Sequence, residues 1–467
     1  MQAAEAKQPL FAKKVIPITP YNVKGRYRNI KSLILVVAYA VYFSLPWLTW
    51  HGDQRTGQPL LIDLATLRVN FFDLVIFPHD LILLVGMLIL GVVLLFMAAS
   101  LYGRMFCGFF CFQTLWTDAF RFIERMVQGE AQARLRLRKQ PWTAEKVAKL
   151  GITHALWLLL SFATALTFAL YFLEAPVLFA KIFNGTAPAA AYIAVVTLTA
   201  TTYVAAGLAR EQICLVACPY GKFQTAMQDA GTLTVMYDQP RGERTLGRAA
   251  PRAELKQAAV RAEKGVGDCI DCNYCVNVCP TGVDIRKGFQ IDCIACGLCV
   301  DACDTIMDSV NMPRGLIRFD RGQTAAGNGR RFNAKTAGYS AILAGMLGFV
   351  IYTASTLTPF DATVQHHAQP LVTRLSNGDL KNRYIVRITN KTTARAQYIL
   401  RVEGLPAESL SGSTRLAIPA GKTYTQTFNV VLPEKTARAT EKFKLILMQQ
   451  GHPQASRSFS LSYYSMI

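Results

Sequence analysis

Five stretches of the chain stay apolar for close to the length a helix needs to cross a bilayer, roughly 20 residues over about 30 Å of hydrocarbon. They cover 33–50, 81–101, 152–173, 190–209 and 338–357, and Pro46 lies near the end of the first, where a helix tolerates it. No apolar core or small-residue cleavage pattern precedes residue 33, so the first span is expected to remain as an anchor rather than be removed as a leader. Between spans the period changes. The segment "VNFFDLVIFPHD" at 69–80 is too short to cross and predicts an interfacial or re-entrant patch. At 117–130, "TDAFRFIERMVQGE" sets Phe120, Ile123 and Met126 or Val127 on one helical face, with Arg121, Glu124, Arg125 and Gln128 elsewhere. That pattern predicts a helix lying on the membrane surface, and Thr143 is placed to cap the helix that re-enters.

Beyond Pro359 the alternation becomes that of strands. "RYIVRITN", "AQYILRVEG", "STRLAIPAG", "TYTQTFNVVLP", "KFKLILMQQ" and "SRSFSLSYY" are short, half-apolar and broken by Asn, Gly and Pro, which predicts an immunoglobulin-like β-sandwich. By contrast, "DQPRGERTLGRAAPRAELKQAA" at 238–259 reads as a charged loop and a short helix with no ordered core.

Composition and charge refine this outline. Of 467 residues, 52% are hydrophobic, above the usual soluble range, and the formal net charge is +20. The cations are distributed as topology signals. Lys24, Arg26, Arg28 and Lys31 precede the first span, "RLRLRK" lies between the second and third, and the loops at 51–80 and 174–189 are cation-poor. The positive-inside rule then puts the N-terminus and the two cation-rich segments in the cytoplasm and the part after the fifth span outside. A nucleic-acid role is disfavoured, because the aromatics lie mostly in the spans rather than on a stacking platform.

All 12 cysteines fall between Cys107 and Cys303, on the two segments expected to face the reducing cytoplasm, and eight of them crowd into 269–303. Their spacing is C-x2-C-x2-C-x3-C-P at Cys269, Cys272, Cys275 and Cys279, then C-x2-C-x2-C-x3-C at Cys293, Cys296, Cys299 and Cys303. This is the bacterial two-cluster ferredoxin arrangement, in which the fourth cysteine of each run serves the other run's cluster. Cys269, Cys272, Cys275 and Cys303 are thus expected to hold one [4Fe-4S] cluster, and Cys279, Cys293, Cys296 and Cys299 the second. Paired zinc knuckles would show two two-cysteine pairs rather than repeated triplets.

The other four form two C-x3-C motifs where spans end: Cys107 and Cys111 in "GRMFCGFFCFQTLW", and Cys214 and Cys218 in "REQICLVACPYGKFQ". On a continuous helix each pair would share a side, and four converging thiolates would suit Cu(I) or a further iron–sulfur cluster. Packing is their alternative role. Met105 is a candidate soft accessory ligand, and Arg104 and Arg210 could offset thiolate charge. Among six histidines only His154 falls in a span, which disfavours a bis-histidine haem; His366 and His367 read as a linker able to touch metal transiently.

Taken together, "YRNIKSLILV", "CGFFCFQTLWTDAFRFIER", "REQICLVACPYGKFQTAM", the cysteine run at 267–304 and "MPRGLIRFD" at 312–320 resemble the FixG, RdxA or CcoG group of membrane iron–sulfur proteins, the cytochrome c oxidase accessory proteins. The resemblance implies electron transfer through two [4Fe-4S] clusters to reduce Cu(II) to Cu(I) for the cbb3-type oxidase. It also makes Cys107, Cys111, Cys214 and Cys218 copper-handling residues, an unidentified electron donor a partner, and oxidase assembly factors or a copper transporter the recipients. One departure is visible: the group often carries Pro after the second cysteine of the first motif, where this chain has Phe112, so that turn is expected to differ from the one before Pro219. A quinol-linked electron-transfer subunit without copper chemistry and an assembly scaffold are the rival readings.

The expected layout is a cytoplasmic segment at 1–32 and four spans with loops at 33–209. A cytoplasmic domain at 210–337 follows, with the cluster module at about 265–310, and then a fifth span at 338–358. A periplasmic immunoglobulin-like domain at 359–467 completes it, the whole set in a bacterial inner membrane.

Overall fold

The computed structural model describes residues 18–51, 56–64, 68–72, 74–77, 80–228, 231–251, 255, 257–321, 334–356, 358–367, 370–392, 395–439, 442–450 and 452–465. The chain divides into two compact units, one taking in the residues up to Trp47 with Ile89–Met346, the other Leu48–Leu88 with Leu347–Ile467. Among the described residues, five helices are long and apolar enough to cross a membrane: Arg26–Trp47, Ile82–Tyr102, Ala144–Leu170, Ala189–Ala209 and Ala334–Ser355.

The first of these begins seven residues ahead of its apolar run, because an acceptor from far along the chain caps it. Gly25, at its N-cap position, has no side chain to offer, and the Tyr27 and Arg28 amides donate instead to the Asp301 carboxylate at 3.1 and 2.8 Å. A Cβ on Gly25 would lie 2.3 Å from Asp301 Cγ, so the close approach requires glycine. The third helix starts at Ala144, where the Thr143 hydroxyl accepts from the Lys146 amide at 3.3 Å, a side-chain N-cap. Small residues let neighbouring helices close: Ala165, Ala169 and Leu170 pack with Leu178 and Val195 in one buried cluster.

The Phe112–Gln128 helix divides its faces differently from the expectation. Phe120 is fully buried and Glu124 and Asp118 are buried as well, while Met126 is 62% exposed. Trp116 reaches between two of the long helices, stacking on Tyr39 at 4.8 Å and donating from Nε1 to Thr164 Oγ1 at 2.8 Å. The helix turns charge inward because partners await it there. Asp118 meets Arg28 at 2.9 Å, and Glu124 meets Arg134 at 2.9 Å and Arg210 at 2.5 Å.

The charged 238–259 stretch buries only Gly242 among the residues described there, and hydrogen bonds to the chain that follows hold it in place. The Arg241 Nε donates to Asp268 at 2.7 Å, and the fully buried Arg261 donates to the Gly267 carbonyl at 2.8 Å from Nε and to the Ala249 carbonyl at 2.9 Å from Nη2. Strands Leu233–Tyr237 and Ile317–Arg321 pair antiparallel beside this segment. Val235, Tyr237, Leu316 and Ile317 join Cys269, Cys275 and Cys303 in a single buried cluster.

The second unit is a two-sheet sandwich. Phe360–His366, Leu380–Asn390, Thr423–Leu432 and the short Leu410–Ser411 form one sheet, with Thr373–Arg374 on Leu380–Asn390; Arg415–Ile418, Ala396–Glu403, Lys442–Gln449 and His452–Ser462 form the other. Inward residues alternate along each strand, and Phe360, Tyr384, Tyr398, Ile418, Val430, Leu445 and Leu447 are fully buried. Two tyrosines satisfy their hydroxyls inside this core, Tyr384 on the Ser462 carbonyl at 2.7 Å and Tyr463 on the Leu380 carbonyl at 2.6 Å.

The 69–80 patch, expected to be interfacial or re-entrant, is built of strands among its described residues. Arg68–Phe71 and Leu74–Ile76 are strands of a three-stranded antiparallel sheet with Leu60–Asp63. Arg68 then donates to the Gly421 carbonyl at 2.7 Å, and Lys391 pairs with Asp80 at 2.5 Å, tying the sheet to the sandwich. His79 lies outside the described residues. His366 is part of a strand rather than a linker: it ends Phe360–His366, with Nε2 on Asn382 Oδ1 at 3.0 Å and its ring against Tyr384 and Tyr464.

Candidate iron–sulfur and thiol sites

The two cysteine runs share a backbone pattern. In the first, Asp271 and Asn273 flank Cys272 at φ 54° and 58°; in the second, Ala295 and Gly297 flank Cys296 at φ 49° and 73°. Left-handed residues on both sides of the middle cysteine coil each C-x2-C-x2-C loop, at a steric cost that only Gly297 escapes. Gly297 is needed for a second reason, since a Cβ there would sit 2.7 Å from the Tyr27 ring. Each run then enters a helix, Tyr274–Asn277 or Leu298–Ser309.

One cavity is lined by Cys269, Cys272, Cys275 and Cys303, with apolar walls from Ile270, Ile306, Leu316 and Ile317. Burial raises the Cys303 thiol, and the charges of Cys275, Cys269, Asp304 and Cys272 act on it in the same direction. A second group forms around Cys299. Burial pushes that thiol well up, and Cys293, Cys296, Cys279 and finally Cys275 add to the effect. Cys275 and Cys293 are each pushed up to about 12, by burial above all.

Four thiols around one largely apolar cavity fit an iron–sulfur cluster, which takes sulfur ligands as thiolates and replaces their protons by its own positive charge. The residues fit a separated ligand set better than a single ion. Among the described residues, no group of three or more His, Cys, Asp or Glu gathers at single-ion distances.

The four remaining cysteines do not ride in pairs on continuous helices. Cys107 lies in the short helix Met105–Phe109, and the chain breaks at Cys111, extended at φ −63° and ψ 131°, to begin the Phe112–Gln128 helix. Cys214 lies in a π-helical turn, Ile213–Ala217, and the chain breaks again at Cys218, at φ −79° and ψ 108°, to begin Pro219–Met227. The two breaks share one conformation, so Phe112 makes the turn that Pro219 makes, and the expected difference between the motifs is absent.

The break serves both motifs alike, placing the second cysteine at the N-cap of the next helix. The four thiols feel one another. Burial pushes Cys107 up to about 11, partly opposed by Arg104 and reinforced by Cys111 and Cys218. Burial likewise pushes Cys214 up to about 11, with Cys111, Cys107 and Cys218 adding. A soft cation binding here has to displace these protons.

Several neighbours of this site carried no motif. The Cys107 Sγ donates to Gln224 Oε1 at 2.8 Å, and the Thr114 hydroxyl donates to the Cys107 carbonyl at 2.5 Å. Gln224 follows Cys218 by six residues, in the Pro219–Met227 helix that Cys218 opens. Arg104 is buried beside Cys107 and donates to the Ile291 carbonyl of the second cysteine run. His154 holds the Tyr203 hydroxyl at 2.8 Å, away from the thiols, and Met105 is half-buried.

The thiol site touches the second run directly. Cys107 shares a buried cluster with Ile294, Cys296 and Leu298. Between Cys107 and Cys111, Gly108 lies so close to that run that a Cβ would meet the Ile294 carbonyl oxygen at 2.6 Å and Cys296 Cα at 2.9 Å. Backbone atoms cannot swing aside as a side-chain tip does. Gly108→Ala is therefore expected to cost about 1–3 kcal/mol, the range for overpacking a filled site. Gly151→Ala, on an open helix face with nothing within 4 Å, should be neutral or slightly stabilising. Denaturant unfolding in detergent checks the pair, and equal effects would remove the contact's claim to be tight.

Comparison with known proteins agrees with this reading. Residues 209–322 match the model of a 4Fe-4S dicluster domain, and residues 350–462 match that of the IG-like fold at the C-terminal of FixG. Protein RdxB of Cereibacter sphaeroides is 39% identical over 451 residues, covering 92% of this chain and 91% of that protein. Protein RdxA of the same organism is 39% identical over 432 residues, covering 90% and 89%. The nitrogen fixation protein FixG of Rhizobium meliloti is 34% identical over 491 residues, covering 96% and 92%. With five helices able to span a membrane, a dicluster domain and the FixG-type C-terminal fold, this chain belongs to the FixG/RdxA family and is an iron–sulfur electron-transfer protein.

Proposed function

We propose that the chain is a membrane-bound cupric reductase, which delivers one electron to Cu(II) at Cys107, Cys111, Cys214 and Cys218 and releases Cu(I) for assembly of a cbb3-type cytochrome c oxidase. The observation that carries it is the contact of Gly108 and Cys107 with 294–296, since electron delivery needs donor and acceptor sites in close packing. Cys269, Cys272, Cys275 and Cys303 would hold one [4Fe-4S] cluster, and Cys279, Cys293, Cys296 and Cys299 the other. When bound, such clusters supply one-electron storage at a potential set by hydrogen bonding and burial.

The residues of the thiol site do the rest. Their sulfurs favour Cu(I) over Cu(II) and so draw the couple toward reduction. Gln224 holds the Cys107 proton until the metal displaces it, and the buried Arg104 guanidinium offsets thiolate charge. Copper is a substrate here and has to leave, so its binding must be exchangeable. The distribution of Lys and Arg supports a topology with the N-terminus and both cysteine-bearing segments in the cytoplasm and the sandwich in the periplasm of a bacterial inner membrane.

The test is anaerobic purification, reduction with dithionite and stopped-flow mixing with Cu(II), followed through cluster absorbance and a Cu(I)-specific chelator. Bleached clusters that fail to reoxidise with copper would sink the reading and leave an electron-transfer subunit serving another acceptor, such as quinone. If Cys293→Ala loses cluster redox activity yet supports oxidase assembly at the normal rate, the chain is a scaffold. The double change Cys214→Ala and Cys218→Ala is expected to lower bound Cu(I) while iron and sulfide stay at two clusters' worth. Iron loss in that variant would instead mark the four thiols as a further cluster site.

A further inference from the structure

One side of the Phe112–Gln128 helix faces a cavity that no cysteine lines. Its walls carry Arg28, Arg121, Arg125 and Arg134 against a single carboxylate, Asp118. We propose that this cavity binds a phosphate group, carried by a phospholipid headgroup or by a soluble phosphate ester.

The charge account leads there. Asp118 is engaged by Arg28 at 2.9 Å and Lys31 at 3.6 Å, Glu124 by Arg134 at 2.9 Å and Arg210 at 2.5 Å, and Glu211 by Arg121 at 3.2 Å. Three carboxylates thus serve five cations, and Arg125 on the cavity wall has no ion-pair partner among the described residues, its guanidinium lying 5.4 Å over the Phe122 ring. The arginines also retain unused donors: Nε of Arg121 and Nε of Arg134 are buried without a hydrogen-bond partner. The Arg134 side chain is 7% exposed and that of Arg121 12%. Burial lowers the Arg121 guanidinium pKa, with the like charge of Arg210 adding to it and Glu211, Asp118 and Glu124 opposing it.

Surplus buried cations and unmet donors are costly unless an anion joins them. A tetrahedral phosphate presents several acceptors to convergent guanidinium forks and is the anion arginine recognises best. Part of the cavity wall belongs to the connection between two helices able to span a membrane, Ile82–Tyr102 and Ala144–Leu170, the rest to the N-terminal segment at Pro20 and Arg28 and to the cysteine runs at Val278 and Leu298; on the connection, Phe122 is 47% exposed beside Met126 at 62%. Apolar side chains beside a cationic pocket suit the boundary between headgroups and acyl chains, where a phospholipid phosphate lies.

The test uses the full-length protein in a phosphate-free neutral detergent, titrated calorimetrically with inorganic phosphate and, separately, with short-chain phosphatidylglycerol below its micelle concentration. Binding of at least one probe is expected, with Arg125→Gln weakening it about tenfold, the worth of one charge-assisted contact. Arg125 makes no ion pair among the described residues, so its loss is expected to leave the network and the cluster absorbance intact, and Arg125→Lys should restore part of the affinity. Phosphatidylglycerol binding alone assigns the phosphate to lipid; comparable binding of inorganic phosphate assigns it to a soluble ester. Failure of both probes to bind the unaltered protein overturns the proposal, as does equal affinity in Arg125→Gln.

Discussion

Cys303→Ala is expected to remove about half of the iron and acid-labile sulfide while one intact [4Fe-4S] spectrum remains, and the cluster lost should be the one begun at Cys269, not the one begun at Cys293. Pairing substitutions makes this decisive. Cys269→Ala with Cys303→Ala should cost no more iron than either alone, because both serve one centre. Cys293→Ala with Cys303→Ala should remove nearly all of it. The reason is spatial: Cys303 lines the cavity that Cys269, Cys272 and Cys275 line, although it ends the other run. If the Cys293 and Cys303 pair loses only half, the fourth ligand stays within its own run and the crossed assignment fails. Cys279→Ala gives the reciprocal case, its thiol acting on Cys299 along with those of Cys293 and Cys296.

What the sequence made legible is what depends on neighbours close along the chain. Cysteine spacing encodes loops that a few residues close by themselves, and the left-handed pairs around Cys272 and Cys296 are local too. Helices that bury apolar faces in lipid and strands that alternate across a sandwich likewise declare themselves by period. The Thr143 cap needed only its next three residues.

Partnerships across long separations were not legible. Glu124 looked like the wet side of a surface helix, and only the arrival of Arg134 and Arg210 makes its burial affordable, as Arg28 does for Asp118. The first long helix starts at Arg26 because Asp301 caps it from elsewhere. Breaks at Cys111 and Cys218 hid behind helix-compatible spacing, and Gly108 looked like any glycine until 294–296 packed on it.

Glu124→Ala tests how much of the bundle rests on one carboxylate, and the expected loss is about 3–5 kcal/mol, the range for stripping the partner from buried cations. The Glu124 side chain is 7% exposed, that of Arg134 7% and that of Arg210 10%, so water cannot take its place cheaply. Burial alone would raise the Glu124 pKa, but the hydrogen bond and charge of Arg210, with the charges of Arg134 and Arg121, hold it below the ordinary carboxylate range. Its stabilising contribution is therefore complete above that range and is lost as pH falls through the lowered native value. Denaturant unfolding in detergent should show a large gap between Glu124→Ala and the unaltered protein at neutral pH, closing on acidification. The damage should also reach the thiol site. Arg210 is held at φ 43° with its Nε on the Gly207 carbonyl at 2.6 Å, and its own carbonyl receives the Ile213 amide that opens the turn carrying Cys214. Released from Glu124, that strained residue can relax toward ordinary backbone, and the Cys214–Cys218 turn relaxes with it. Glu124→Ala should thus lower bound Cu(I) at full iron content, whereas copper binding that survives the stability loss would uncouple the turn from the ion pairs.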